Sequence, residues 1–186
     1  MNMLKLLVIN IKKVINMKFK PDMYKKSIYD INYDKLKEMG KKYLFFDLDN
    51  TIISYQEKVP NEDSLKLFDY LKKKGFVCYL FSNSHSNRLM KVKDILNVDV
   101  YYSSMKPLKK NYKKVLKKYK PEECVFIGDQ IMTDVIGAKR NNLFIIFVDR
   151  INDEEPIYTK FWRFFEKIIL KRYKKKNILE KGKYYE

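Results

Sequence analysis

Three observations in the 186-residue sequence predict an α/β domain with a mostly parallel, five-stranded sheet and helices on both faces. Short apolar runs alternate with longer segments in which apolar residues recur at helical spacing. Several of the short runs end in polar side chains, as expected where parallel strands meet a ligand. Hydrophobic residues make up 46% of the chain and aromatic residues 15%, which favours a folded domain over a disordered one.

The first predicted strand ends in the most informative stretch, residues 43–51, with the sequence YLFFDLDNT. Its apolar part is too short for a helix and rich in aromatics, so it favours a buried strand. Asp47 and Asp49 are two residues apart, and side chains at this spacing share one side of a strand. Two carboxylates held together are costly unless a metal ion or a shared proton lies between them. For an isolated Asp-x-Asp the alternative is a simple turn.

Further apolar runs predict the other four strands and the helices between them. The strands are expected over 76–81, 98–102, 124–127 and 143–148. Helices are expected from Asn61 to Gly75, after Ser86 or Asn87, over 108–119 and over 161–173. In the first helix, Leu65, Leu67, Phe68 and Leu71 are expected to face inward. Residues 21–40 are expected to pack beside the first strand.

The chain carries a net charge of +17, from 40 basic and 23 acidic residues. Such a charge favours contact with anionic surfaces, either lipid headgroups or nucleic acid. Only five of the basic residues are arginines, and AT-rich coding would also produce such a bias toward lysine. Cys78 and Cys124 lie in separate apolar runs without metal-ligand spacing, so we expect buried, reduced thiols and a cytoplasmic protein.

The predicted boundaries are a basic and apolar extension at 1–20, one domain at 21–173 and a basic tail at 174–186. In the extension the uninterrupted apolar run is four residues, far below the ~20 that span a bilayer. Three interpretations of 1–16 stay open: a helix in a membrane interface, a helix docked on the domain, or residues preceding a start at Met17.

Polar groups suited to phosphate chemistry follow four of the predicted strands. They are Asp47 with Asp49, then Ser82, then Lys106, then Asp129 with Asp134. The corresponding motifs, Asp-Leu-Asp-Asn-Thr, Phe-Ser-Asn, Lys-Pro and Gly-Asp-x4-Asp, resemble in order those of the haloacid dehalogenase-like phosphohydrolases. Taken singly, Ser82 could be a helix cap and Lys106 a surface lysine.

The sequence is more closely similar to the YqeG family of class III phosphatases, which is related to the phosphatidylglycerophosphate phosphatases. Pro-Asp-x-Tyr and Gly-Asp-Gln-x-x-Thr-Asp carry this similarity, together with Thr159, Arg163 and Glu166. It covers about residues 17–172 and implies a single Rossmann-like domain without a cap. Residues 1–16 are extra, and Asp149-Arg150 replaces a common proline.

The residue types fit phosphate ester hydrolysis, one of the slowest uncatalysed reactions. Asp47 is the expected nucleophile, and Asp49 the acid that protonates the leaving oxygen and then activates water. Mg²⁺ suits carboxylate oxygens. The resemblance implies that Asp47, the backbone carbonyl of Asp49, and Asp129 hold the metal, with Asp134 as a ligand or support.

The remaining predicted site residues bind the substrate. Ser82, the amide of Asn83 and Lys106 would contact the phosphoryl group. Asn50 and Thr51 are also assigned to substrate binding, with Thr51 steadying the first loop. His85, the single histidine, is expected to be exposed and not required as a base.

The short connections around the motifs leave no room for a cap, so an open site and a large or surface-bound substrate are expected. A lipid headgroup, as in phosphatidylglycerophosphate, is the leading hypothesis, because the family resemblance implies it and residues 161–176 combine aromatics with lysines. That composition fits an interfacial helix, a helix packed over the sheet, or both. The enzyme would then be cytoplasmic and peripheral on the inner face of an anionic membrane. The alternatives are a phosphatase of nucleotides, nucleic-acid ends or other soluble esters, and a non-catalytic RNA- or ribosome-associated module.

Overall fold

The sheet has six parallel strands, one more than the sequence predicts. The computed structural model describes residues 19–83, 86–102, 104–153 and 157–183. The strands are β1 (Met23–Lys25), β2 (Tyr43–Phe46), β3 (Val77–Phe81), β4 (Asp99–Tyr101), β5 (Cys124–Gly128) and β6 (Phe144–Val148). Their order in the sheet is β1-β6-β5-β2-β3-β4. Strand β2, which Asp47 directly follows, is therefore flanked by β5 and β3, and two of the other motifs follow those strands.

Helices cover both faces of this sheet, as predicted. They are α1 (Tyr33–Glu38), α2 (Glu62–Lys73), α3 (Asn87–Leu96), α4 (Lys109–Leu116), α5 (Ile136–Lys139) and α6 (Ile157–Lys175). Short 3₁₀ turns occur at Ile28–Asp30 and Pro121–Glu123, and a π-helical turn at Ile131–Val135 leads into α5. Side chains from α1, α2 and α3 join one hydrophobic cluster, and those from α4, α5 and α6 join the cluster on the opposite face.

The segment before β2 corrects the predicted topology. Its strand β1 pairs with β6, so it lies at an edge of the sheet and not beside β2. Three residues are too few to show a strand period in the sequence, and tertiary packing decides their position. The later part of the segment does pack as expected, because Leu36 of α1 lies in the same core cluster as Leu44 of β2.

Helix α2 begins and ends where the sequence predicts, with one error about its buried face. Asn61 caps it by accepting a hydrogen bond from the amide of Ser64, and Gly75 follows its end with a φ of +78°. The buried stripe consists of Ser64, Phe68 and Leu71. Leu65, expected to face inward, is exposed. The buried position one helical turn before Phe68 is occupied by the small Ser64 instead.

The structure describes most of the predicted C-terminal tail but little of the predicted N-terminal extension. Residues 1–18, and with them the interpretations of the extension, lie outside the described residues. In the predicted basic tail, Leu179 is buried and the amide of Gly182 donates to the carbonyl of Tyr24 at 2.9 Å. Both cysteines are reduced and buried, as predicted. Among the described helices, none combines the length and the apolar character needed to cross a bilayer.

Candidate active site

The carboxyl edge of the sheet brings the first and fourth motifs together. Asp47 directly follows β2, and its amide donates to the carbonyl of Ile127 at 2.8 Å, which extends the pairing of β2 with β5. Asp129 directly follows β5 and is fully buried. Because β2 and β5 are adjacent and parallel, the two carboxylates emerge side by side.

The π-helical turn after β5 adds Asp134 to this pair. The amide of Gln130 donates to Oδ2 of Asp134 at 3.1 Å, which turns the carboxylate back toward the strand. A glycine is required at 128, because a Cβ there would lie 2.5 Å from Cγ of Asp134. One carboxylate oxygen from each of Asp47, Asp129 and Asp134 lies within 4.8 Å of the others.

Lys106 places a positive charge inside this carboxylate cluster. Its Nζ lies 2.5 Å from Oδ1 of Asp47 and 2.6 Å from Oδ1 of Asp134, and its side chain is 4% exposed. Asn83 fixes the backbone of Lys106: Oδ1 of Asn83 accepts the Lys106 amide at 2.7 Å, and Nδ2 donates to the Lys106 carbonyl at 3.3 Å. Ser104 also donates to Oδ1 of Asn83, at 2.9 Å. The Asn83 side chain therefore holds the backbone of Lys106, and contact of the Asn83 backbone amide with a substrate stays a prediction.

Burial and neighbouring charges perturb the acids of this cluster. Burial raises the pKa of Asp47 to about 6, against the opposing effect of Lys106, and Asp134 raises it further. Burial also raises the pKa of Asp129, while Arg163 opposes that shift. For Lys106, burial alone would lower the pKa, but Asp134 and Asp47 raise it. The lysine is therefore a fixed cation, and the carboxylates are short of positive charge.

Helix α6 supports the cluster from behind through a buried ion pair. Nη1 of Arg163 donates to the carbonyl of Asp129 at 2.7 Å and to Oε2 of Glu166 at 2.8 Å, and Nη2 pairs with Oδ2 of Asp129. Oε1 of Glu166 accepts the amides of Ile131 at 2.5 Å and Met132 at 3.4 Å. Arg163 and Glu166 thus fix both the carboxylate of Asp129 and the turn that carries Asp134.

Three other predicted site residues are buried at the same edge. Oγ1 of Thr51 donates to Oδ1 of Asp129 at 3.4 Å, so Thr51 orients a candidate metal ligand. Asn50 has a φ of +60° and closes a turn in which its amide donates to the carbonyl of Ile53 at 2.7 Å. Ser82 follows β3, and its amide donates to the carbonyl of Tyr101 at 3.1 Å. Contact of these three residues with a substrate stays a prediction.

Asp49 lies apart from the other three carboxylates. Its Oδ1 is buried and pairs with Nη2 of Arg88, while the side chain as a whole is 32% exposed. Its side chain therefore does not join the candidate metal cluster. The predicted role of its backbone carbonyl as a metal ligand stays a prediction, and His85 lies outside the described residues.

The cluster fits a divalent cation. Its donors are carboxylate oxygens, the ligands preferred by hard cations such as Mg²⁺. With Glu166, which shares Arg163 with Asp129, four carboxylates face the two cations Lys106 and Arg163, so two negative charges are left uncompensated when all four are ionised. A divalent cation would balance these two charges and lower the cost of burying the acids.

Sequence reasoning gave no role to Arg88 and none to the Arg163–Glu166 pair. The composition contains a signal that could have found them. Where lysine outnumbers arginine so strongly, an arginine is a candidate for a position at which lysine would not serve. Arg88 and Arg163 each contact several groups at once, which needs the planar fork of a guanidinium.

Comparison with known proteins gives one relative and one family. The profile of the haloacid dehalogenase-like hydrolases matches residues 11–142. The "Probable phosphatase YqeG" of Bacillus subtilis (strain 168) is 31% identical over 164 residues, which cover 87% of this chain and 95% of that protein.

Solved structures provide two further likenesses. An uncharacterised protein from Listeria monocytogenes serotype 4b matches with a TM-score of 0.50 at 17% identity, over 62% of this chain and 84% of that one. This likeness concerns the fold alone. The cobalt-bound deoxy-D-mannose-octulosonate 8-phosphate phosphatase (YrbI) of Haemophilus influenzae has a TM-score of 0.49 at 13% identity, over 74% of this chain and 90% of that one.

The fold and the site first define a class: an α/β protein with a cluster of three carboxylates at the carboxyl edge of a parallel sheet. Its particular family follows from the two sequence matches. The chain belongs to the haloacid dehalogenase-like hydrolases and, within them, to the group of the Bacillus subtilis YqeG protein.

We expect the affinity for a divalent cation to fall as the pH falls through about 6, because a proton on Asp47 competes with the metal. The affinity should drop by up to about tenfold per pH unit below that value. Since folding raises this pKa, the metal-free protein should lose stability as the pH rises from about 4 to 6. Calorimetric titration with Mg²⁺ at pH 5 and pH 7.5 measures the first effect. Equal affinities at the two pH values would contradict it.

Proposed function

We propose that the protein is a Mg²⁺-dependent phosphomonoester hydrolase that acts through an aspartyl-phosphate on Asp47. The observation that carries this proposal is the position of Asp47, whose Oδ1 contacts Lys106 in a cluster of three carboxylates. A carboxylate oxygen held at the carboxyl edge beside an ammonium group is suited to in-line attack on a phosphoryl group. The printed name of the Bacillus subtilis relative supports the same chemistry.

The proposed reaction has two displacements at phosphorus. In the first, an oxygen of Asp47 forms a bond to phosphorus, the bond to the substrate alcohol breaks, and Asp49 protonates the leaving oxygen. In the second, water attacks the phosphorus of the aspartyl-phosphate, Asp49 takes a proton from this water, and the carboxylate of Asp47 is released. The products are an alcohol and inorganic phosphate.

The surrounding residues would hold these groups in position. Lys106 would offset negative charge on Asp47 and on the transferred phosphoryl oxygens. Asp47, Asp129 and Asp134 would hold Mg²⁺, which when bound supplies charge neutralisation between nucleophile and phosphate. Thr51, Arg163 and Glu166 keep Asp129 in place through the contacts described above.

We further propose that the substrate is a lipid headgroup, with phosphatidylglycerophosphate as the leading case. The described connections after β2 and β4 contain one helix each, so no cap closes over the cluster. Exposed apolar side chains instead follow several strands at this edge: Tyr55, Tyr102, Met105, Leu108 and Ile151. An open site with an apolar rim suits a phosphate presented at a membrane surface.

Helix α6 extends this apolar rim. Phe164, the neighbour of Arg163, is 62% exposed, and Ile168 is exposed one turn later on the same face. Lys167 and Lys171 are exposed on the same helix, which complements an anionic lipid surface. We therefore place the enzyme in the cytoplasm, bound peripherally at the inner face of the membrane.

The test compares phosphate release from phosphatidylglycerophosphate in mixed micelles with release from glycerol 3-phosphate, both with Mg²⁺. We expect the lipid to be strongly preferred. Replacing Phe164 and Ile168 together by serine should lower lipid turnover about 100-fold, because roughly 1.5 kcal/mol of apolar contact per side chain is lost. Turnover of glycerol 3-phosphate should be unchanged. Leu65→Ser is the matched control, because Leu65 is an exposed apolar residue on a different helix, α2.

Three outcomes would contradict parts of this proposal. Equal turnover of lipid and soluble esters would remove the lipid assignment and favour soluble phosphate esters. Steeply salt-dependent binding of oligonucleotides, with hydrolysis of their terminal phosphates, would favour nucleic-acid ends and the exposed lysines of α4. Absence of turnover of every ester would favour a non-catalytic binding module.

A further inference from the structure

Arg88, in the first turn of α3, holds its guanidinium against the loop that follows the first motif. Its Nη1 donates to the carbonyls of Ser54 at 3.1 Å, Tyr55 at 2.9 Å and Glu57 at 2.8 Å. Its Nη2 pairs with Oδ1 of Asp49, and the ring of Tyr55 lies 5.7 Å below the guanidinium. These contacts fix the position of a cation that is still 20% exposed.

The position of this cation relative to the reaction follows from Asp49. In-line transfer places the attacking and the leaving oxygens on opposite sides of phosphorus. Asp47 and Lys106 mark the attacking side, whereas Asp49 marks the side of the leaving oxygen. Since Oδ1 of Asp49 is buried against Arg88, the exposed part of this side chain, including Oδ2, is left for the substrate. Arg88 therefore borders the space of the leaving group.

We propose that Arg88 forms a binding site for a second phosphate, carried by the leaving group of the substrate. This inference rests on the proposed function, because it takes Asp47 as the attacking residue and Asp49 as the acid. A phosphate beside Asp49 would meet a guanidinium that is already oriented by the three carbonyls and the tyrosine ring. Within the described residues, the hydrogen bonds and the ion pair of Arg88 given above use Nη1 and Nη2 and none of them uses Nε, and the side chain keeps 20% of its surface exposed.

The choice of arginine supports a recognition site. In a chain of 35 lysines and five arginines, a lysine would supply charge alone. A guanidinium can donate to the loop through one nitrogen and to a phosphate through others, in a fixed plane. The exposed Tyr55 ring lies against the guanidinium and helps to hold it in place.

The substrate class that fits is a phosphomonoester whose alcohol carries another phosphate a few bonds away. Two sources share this chemistry. One is a phospholipid with a terminal phosphomonoester beyond its phosphodiester, and the other is a soluble bisphosphate. Both present one dianion to Asp47 and a second anion to Arg88.

The experiment uses the full chain with Mg²⁺ and two soluble esters in which the phosphate to be released is attached to a glycerol unit. Glycerol 3-phosphate has no second phosphate, and deacylated phosphatidylglycerophosphate has one. We expect kcat/KM to be about 10- to 100-fold higher for the second ester. Arg88→Met should abolish this preference, and Arg88→Lys should keep part of it. Lys91→Met, an exposed charge removal on the same helix, should keep all of it.

Equal loss on both esters in Arg88→Met would overturn the proposal, since Arg88 would then only shape the loop. Absence of a preference in the unmodified protein would overturn it too. Hydrolysis of neither ester, nor of the intact lipid, would instead overturn the proposed function and this inference with it. If the preference is found, kcat/KM is then compared between the intact lipid in micelles and its deacylated form. A higher value for the intact lipid assigns the Arg88 site to the lipid source, and equal values for the two assign it to a soluble bisphosphate.

Discussion

Replacing Asp47 by asparagine should lower phosphate release by about 10⁴-fold or more while leaving the fold intact. The amide has nearly the shape of the carboxylate but cannot form the phosphoryl ester. The fold should survive because Lys106 keeps its contact with Asp134 and because an ionised Asp47 is itself costly to bury. Steady-state turnover of a soluble ester and thermal unfolding measure the two effects.

Asp69→Asn is the matched control, because Asp69 is an exposed carboxylate on α2, away from the carboxyl edge. It should leave turnover unchanged. Rapid-quench labelling with a radioactive phosphate ester adds a direct readout, since label should become covalently bound to the unmodified chain and not to Asp47→Asn. More than about a tenth of the normal turnover in Asp47→Asn would exclude Asp47 as the nucleophile.

The carboxylates at the strand ends could be predicted from the sequence because the relevant physics is local. Residues 43–46 alternate between the two faces of a sheet, and the strand position of Asp47 follows from that run. The adjacency of Asp47 and Asp129 then follows from the rules for parallel sheets. The helix caps at Asn61 and Ser86 are local as well, since each accepts an amide three residues later.

The contacts that join distant segments could not be predicted in the same way. Strand β1 is three residues long, and its pairing with β6 depends on residues more than a hundred positions away. The π-helical turn that directs Asp134 back toward Gly128 has no hydrophobic period of its own. Arg163 reaches Asp129 across 34 positions, and only the final position of α6 shows that it does.

The candidate site therefore divides into two kinds of residue. The candidate reactive groups lie directly after strands, where sequence order and sheet topology locate them. The groups that hold them, such as Arg163 and Glu166, lie on a helix whose rotation and approach depend on packing. In this lysine-rich chain, the choice of arginine over lysine at 163 indicates such a supporting position better than the spacing of apolar residues along the helix does.

The second large effect is expected for Lys106→Met. This substitution leaves Asp47 and Asp134 as buried carboxylates without the ammonium that lies within 2.6 Å of both. The metal-free variant should lose about 3–5 kcal/mol of stability, because removing one member of a buried pair leaves uncompensated charge. Phosphate release should fall with it, since the charge that offsets the phosphoryl group is gone. Denaturant unfolding and steady-state turnover measure these losses.

The origin of the instability is tested by adding Asp134→Asn to Lys106→Met. If charge imbalance is the cause, the double variant should regain most of the lost stability but none of the activity. Mg²⁺ should also stabilise Lys106→Met more than the unmodified protein, because the cluster then carries an additional uncompensated negative charge. Lys41→Met is the matched control: Lys41 is also buried but donates to the carbonyl of Glu122 at 2.7 Å, so Mg²⁺ should not rescue its loss. Equal responses to Mg²⁺ in the Lys106 and Lys41 variants would show that Lys106 stabilises the fold by packing and not by balancing the carboxylates.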